Sequence, residues 1–124
     1  MLKQKKFYLI DSQDAVIGNP AYDLASLIDD VRLKTSNSLK EEMFNHFTKK
    51  HLNRDLKKFE NDFLILSVLR NFKILGIFSR LAKRDDKNKY LKYIPYTWSL
   101  IKLRTKNGKV FDELRFILNN NKFI

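Results

Sequence analysis

Leu9-Ile10-Asp11-Ser12-Gln13-Asp14-Ala15-Val16-Ile17-Gly18-Asn19-Pro20-Ala21-Tyr22-Asp23-Leu24-Ala25-Ser26-Leu27 is the stretch from which the rest of the chain can be read. A short apolar run, Phe7 to Ile10, delivers a carboxylate, Asp11, to its end. A loop with one glycine follows, and a helix opens at Asn19-Pro20, because Asn caps free N–H groups and Pro suits the first helical position. Leu24, Leu27, Ile28 and Val31 then fall at the spacing of one buried helical face, predicting a helix from about Pro20 to Arg32. Lys6 to Ile10 reads as a strand. A lone strand is not stable, so its partner must come from Met1 to Gln4 or from sequence outside the chain.

Beyond this stretch the periodicity is helical. Ser38-Leu39-Lys40-Glu41 has the form of a capping box and predicts a helix to about His51 that buries Leu39, Met43, Phe44 and Phe47. Asn53 is placed to cap the longest helix, Arg54 to Ala82. Its apolar positions are Leu56, Phe59, Phe63, Leu66, Leu69, Phe72, Leu75 and Phe78, with a bend expected near Gly76. A charged turn separates this from a short helix, Asn88 to Ile94. Pro95 opens the next helix, which Asn107-Gly108 stops. A last helix, Val110 to Leu118, is expected to bury Phe111, Leu114 and Ile117. With no internal repeat and no linker, residues 1–124 read as one mainly α unit with one short N-terminal strand or hairpin.

Composition bounds the function. There is no Cys, which excludes disulfides and thiolate metal sites and fits a cytoplasmic protein. The best membrane-span candidate, Phe63 to Leu81, carries Arg70, Lys73 and Arg80, whose insertion would cost about 2.5–3.5 kcal/mol each. No membrane partner is therefore expected. The net charge is +11, but the basic residues are spread along the chain and are mostly Lys. Lys, Asn, Ile and Phe all have AT-rich codons, so a low-GC genome accounts for the excess and no nucleic-acid partner is expected. The charge still attracts anionic small molecules. His46 and His51 are five apart rather than the four of a helical metal pair, and Tyr93, Tyr96 and Trp98 read as core before they read as a sugar platform.

A carboxylate at a strand end is a rigid way to hold a hard divalent cation, and it is also ordinary turn chemistry. Two blocks of sequence weigh on that choice. Ile10-Asp11-Ser12-Gln13-Asp14-Ala15 followed by Gly18-Asn19-Pro20-Ala21-Tyr22-Asp23-Leu24-Ala25 resembles the Ile-Asp-x-x-x-Ala … Gly-x-Pro-x-x-Asp-Leu-Ala pattern of the aminoglycoside-phosphotransferase-like kinases. Phe72 to Asp85, followed by Tyr90-Leu91 and Ile94-Pro95, is similar to the C-terminal half of one subgroup, the cell-wall amino-sugar kinases that act on N-acetylmuramate and N-acetylglucosamine.

The resemblance implies the helical C-terminal part of a protein-kinase-like fold. It makes Asp11 the metal ligand, with Asp14 beside it. Asp23, Gly18 and Pro20 become structural supports of a catalytic loop. Asp29, Asp30, Arg32, Arg70, Asn71 and Arg80 are candidates for the acceptor cleft, although Arg70, Asn71 and Arg80 read more readily as the solvent face of the longest helix. Ser12 departs from the subgroup, which is usually aromatic there. The complete enzyme would use ATP and Mg²⁺ and take a small-molecule sugar acceptor. These 124 residues contain no His-x-Asp-x-x-x-x-Asn loop and no phosphate-cradling glycine cluster. The expectation is thus a chain inactive alone, binding neither ATP nor metal tightly, that works with a missing N-terminal half or self-associates. The alternative is a non-catalytic helical interaction module derived from such a kinase.

Overall fold

A computed structural model of the protein describes residues 2–3, 6–7, 17–51 and 55–120. Five α-helices dominate the described residues. They are α1 (Pro20–Ile28), α2 (Asn37–His51), α3 (Leu56–Asp85), α4 (Ile94–Thr105) and α5 (Asp112–Asn120), with 3-10 turns at Asn88–Tyr93 and Lys109–Phe111. At the N-terminus β1 (Leu2–Lys3) pairs antiparallel with β2 (Lys6–Phe7), Leu2 opposite Phe7 and Lys3 opposite Lys6. The expected partner for the Lys6 strand does come from the first four residues. Residues 8–10 of that strand lie outside the described residues.

α3 is the axis of the molecule. Its 30 residues run as one continuous helix through Gly76, about 45 Å long. Its N-cap is Asp55, whose Oδ1 accepts from the N–H groups of Lys57 and Lys58 at 3.0 and 3.3 Å. The predicted cap, Asn53, lies outside the described residues. At the far end Asp86 takes the left-handed conformation (φ 50°) and the Lys87 N–H returns to the Leu81 carbonyl, closing the helix.

α1 lies alongside α3 in the same direction. Asn19 Nδ2 donates to Asp62 at one end, and Ser67 and Arg70 meet Asp29 at the other. α2 and α4 run back along α3. Phe44 and Phe47 of α2 meet Phe63 and Phe59, while Phe72 meets Trp98 edge-on. Ala21, Leu24, Ala25, Ile28, Phe59 and Phe63 form one buried cluster. Val31, Phe78 and Leu100 form a second, and Leu75, Ile101 and Leu118 a third. Each large member contributes about 1.5–3 kcal/mol by its burial. The alanines at 21 and 25 are fully buried and let α1 approach α3 closely.

Four local expectations are corrected. α1 stops at Ile28 rather than near Arg32, because the Asp30 carboxylate accepts from the Arg32 N–H at 2.9 Å and folds the chain into a turn. The predicted Ser38 box does not form; Ser36 Oγ accepts from the Leu39 N–H and caps α2 instead. Leu27, Leu39, Leu56 and Leu69 are exposed, while Lys40, Ser67 and Asn71 are buried in the stripes where apolar residues were expected. In α5 Leu118 is buried and Ile117 exposed, one position out of the predicted register. Gly108 has φ +102°, so the predicted stop after α4 does rest on a glycine-favouring turn.

Candidate functional site

The site grows from the end of α1. Asn19 Oδ1 accepts from the Ala21 N–H at 3.0 Å and Pro20 fixes the first turn, so α1 starts immediately after the Asp11 to Gly18 segment. Nine residues later it ends at Asp29, which is fully buried. A buried carboxylate is costly unless every lone pair is met. Here Arg104 of α4 forms a two-pronged fork on it, Nε to Oδ2 at 2.7 Å and Nη2 to Oδ1 at 2.8 Å. Lys40 Nζ of α2 donates to Oδ1 at 3.1 Å, and Ser67 Oγ of α3 to Oδ2 at 2.6 Å.

The surrounding atoms complete the cage. Lys40 Nζ also donates to the Ile28 carbonyl at 2.6 Å, the Arg104 guanidinium lies over the Phe63 ring at 4.9 Å, and Asn71 Nδ2 donates to the Ser67 carbonyl at 2.9 Å. Burial alone would push the Asp29 carboxyl up. The hydrogen bonds and charges of Arg104, with Ser67 and Lys40, outweigh it and hold the group below the usual carboxylate range. One side chain thus ties α1 to α2, α3 and α4.

The exposed edge of this cage is polar. Asp30 pairs with Arg32 through Oδ1–Nε at 3.0 Å and Oδ2–Nη2 at 2.7 Å, and the Arg32 fork holds its carboxyl below the usual range. Arg70 is half-buried and donates through Nη1 to the Asp29 carbonyl at 3.2 Å. Four of the six proposed cleft residues (Asp29, Asp30, Arg32 and Arg70) therefore meet at the α1 terminus. Asn71 is buried behind them, its Oδ1 without a partner among the described residues. Arg80 is exposed farther along α3 and makes no hydrogen bond or ion pair among the described residues.

At the other end of α1, Asp23, Gly18 and Pro20 are exposed. A Cβ at Gly18 would meet nothing within 4 Å. Asp11 and Asp14 lie outside the described residues. Among the described residues no three His, Asp or Glu side chains gather as a metal site, and no helix is long and apolar enough to cross a membrane. An open groove bordered by Gly18, Asn19, Pro20, His51, Asp55 and Asp62 flanks the start of α1.

Sequence reading missed Lys40, Ser67 and Arg104. A signal existed. Lys40, Phe44 and Phe47 share one helical stripe, as do Phe63, Ser67, Asn71, Leu75 and Phe78. A polar residue inside a buried stripe calls for a buried partner.

With this geometry in place, comparison with known proteins adds kinship. No family model matches the chain. It is 34% identical over 90 residues to the N-acetylmuramate/N-acetylglucosamine kinase of Caulobacter vibrioides, covering 73% of this chain and 25% of that protein. The kinases of the same name from Neisseria meningitidis and Pseudomonas aeruginosa are 32% and 31% identical, each over 77% of this chain and 30% of the relative. The chain therefore spans between a quarter and a third of the length of these curated relatives. The resemblance drawn from its two sequence blocks is borne out: it is a relative of the amino-sugar kinase subgroup.

Proposed function

We propose, from this chain's kinship with the amino-sugar kinases, that it supplies the helical, acceptor-side part of an ATP-dependent phosphotransferase acting on a hydroxyl of an amino sugar. The observation that carries the proposal is the Asp29 cage. It fixes α1, the helix that follows the Asp11 segment in sequence, against three other helices, and so fixes the polar edge at its end. Transfer of a phosphoryl group is mostly positioning and charge stabilisation. A rigid rod with a metal-binding carboxylate before its start and sugar-binding groups at its end suits that task.

Asp11, with Asp14 beside it, would hold Mg²⁺; carboxylate oxygens are the donors that ion prefers. Mg²⁺ would neutralise charge on the ATP phosphates. Asp23, Gly18 and Pro20 would support the catalytic loop, which these 124 residues do not contain. Asp30, Arg32 and Arg70 would orient the acceptor, with Arg80 at the far margin. Asn71 is inside the core and acts on the acceptor only by holding Ser67 and, through it, Asp29. A cytoplasmic location goes with ATP as cosubstrate. The chain alone then lacks turnover, and it works with a partner carrying the nucleotide lobe.

The test is reconstitution. The purified chain is assayed for Mg²⁺-dependent phosphorylation of N-acetylglucosamine alone, and mixed with the Caulobacter vibrioides kinase lacking its matching segment. Turnover only in the mixture is expected. Turnover by the chain alone refutes the partial-enzyme reading. Inactivity in both, with the two pieces binding each other, favours a non-catalytic module.

A further inference from the structure

The charges around the end of α1 do not balance. Asp29 and Asp30 face four cations: Lys40, Arg104, Arg32 and Arg70. Each carboxylate is already closed by a two-pronged arginine fork, Asp29 by Arg104 and Asp30 by Arg32. Arg70 is left over. It is half-buried, and among the described residues its single hydrogen bond goes to a neutral acceptor, the Asp29 carbonyl. Burial pulls its affinity for the proton down, and the opposing pull of Tyr22, Asp30 and Asp29 does not restore it. A guanidinium has five N–H donors, so most of Arg70's remain free. A partly desolvated cation with no ion pair of its own among the described residues is an unusual arrangement, and an incoming anion completes it.

The setting also says which anion. Arg70 sits against the carbonyl end of α1, the partially negative end of the helix, beside two carboxylates. That helix end presents carbonyls rather than N–H groups, so a phosphate would find no backbone donors beside Arg70. A planar monoanion matched to one guanidinium fork suits it better, and a carboxylate has that shape and charge. The exposed Tyr22 ring lies on the same side of α1 as Arg70 and offers a face for a sugar ring.

We propose that Arg70 is a specificity residue that takes the carboxylate of an acidic amino-sugar acceptor, so that the site prefers a sugar acid to the neutral sugar. This deepens the acceptor reading and rests on it. Arg32 contributes indirectly, by keeping Asp30 occupied and away from Arg70.

The test is an NMR titration of the 124-residue chain with N-acetylmuramate, N-acetylglucosamine and inorganic phosphate as separate probes. N-acetylmuramate carries a lactyl carboxylate that N-acetylglucosamine lacks. The expected result is about tenfold tighter binding of N-acetylmuramate, as one charge-assisted fork supplies. Arg70→Met brings the ratio of the two affinities to about one, and Arg70→Lys leaves it in between. Arg32→Ala also lowers the ratio, without touching Arg70, by freeing Asp30 as an internal counter-ion. Circular dichroism of each variant separates these effects from unfolding.

Equal affinities in the unaltered chain, a preference that survives Arg70→Met, or phosphate bound more tightly than N-acetylmuramate would each overturn the proposal. In those cases sugar binding itself stands, and the acceptor reading with it. If neither sugar binds, the specificity proposal falls, and the acceptor reading is judged separately by turnover in the reconstituted enzyme.

Discussion

Replacing Asp29 with Ala removes the one group that satisfies Lys40, Arg104 and Ser67 together. The Lys40 side chain is 4% exposed and that of Arg104 14% exposed, so both buried charges would lose the carboxylate they pair with. Breaking a buried pair from one side costs about 3–5 kcal/mol, mostly the desolvation of the charge left behind. For a chain of 124 residues the unfolding entropy is about 0.26 kcal/mol per degree, so Tm falls by about 10–20 °C.

Urea and thermal unfolding followed by circular dichroism measure this directly. A companion variant sharpens the reasoning. Asp29→Leu combined with Lys40→Met and Arg104→Met removes all the charges at once, and is expected to recover most of the lost stability, since apolar replacement of a buried ion network is often neutral. If Asp29→Ala costs less than about 1 kcal/mol, or the triple variant is as unstable as the single one, the cage is not what fixes α1.

Other outcomes follow from the same structure. Because the Asp29 carboxyl lies below its usual value in the folded state, its stabilisation is complete above the unfolded-state pKa and is lost as pH falls through the lower, folded one. Acid unfolding monitored by tryptophan fluorescence of Trp98 is therefore expected at lower pH than in a variant with Arg104→Met; identical acid midpoints would contradict it. Asn19→Ala removes the α1 cap and the bond to Asp62, and is expected to cost about 1 kcal/mol in urea unfolding. Gly108→Ala forces a side chain into φ +102° and is expected to destabilise the chain, whereas Gly18→Ala, with open space around it, leaves its midpoint unchanged.

The sequence made the mainly α architecture legible because the elements announce themselves locally. Asn19-Pro20 marks the start of α1, Pro95 lies in the first turn of α4, and Gly108 ends the connection after it. Each signal acts within a few residues. The Asp29 cage does not, since its partners lie 11, 38 and 75 residues away in sequence. Periodicity reports which face of a helix is buried, not which buried polar groups meet. For that reason Asp29 read as a cleft residue alongside Asp30, although one is sealed inside the core and the other lies at its edge. The same limit explains the wrong N-cap of α2: Ser36 and Ser38 both offer a hydroxyl, and only the path of the preceding turn decides between them.

The central claim is that this chain can serve as the acceptor-side part of an amino-sugar kinase. It is tested most directly by grafting the chain in place of the matching segment of the Caulobacter vibrioides kinase and following N-acetylglucosamine phosphorylation by phosphorus NMR. The account predicts a new sugar-phosphate resonance that requires ATP and Mg²⁺ and disappears with Asp11→Asn. A folded chimera that forms no sugar phosphate, or one whose turnover is indifferent to Asp11→Asn, would contradict it.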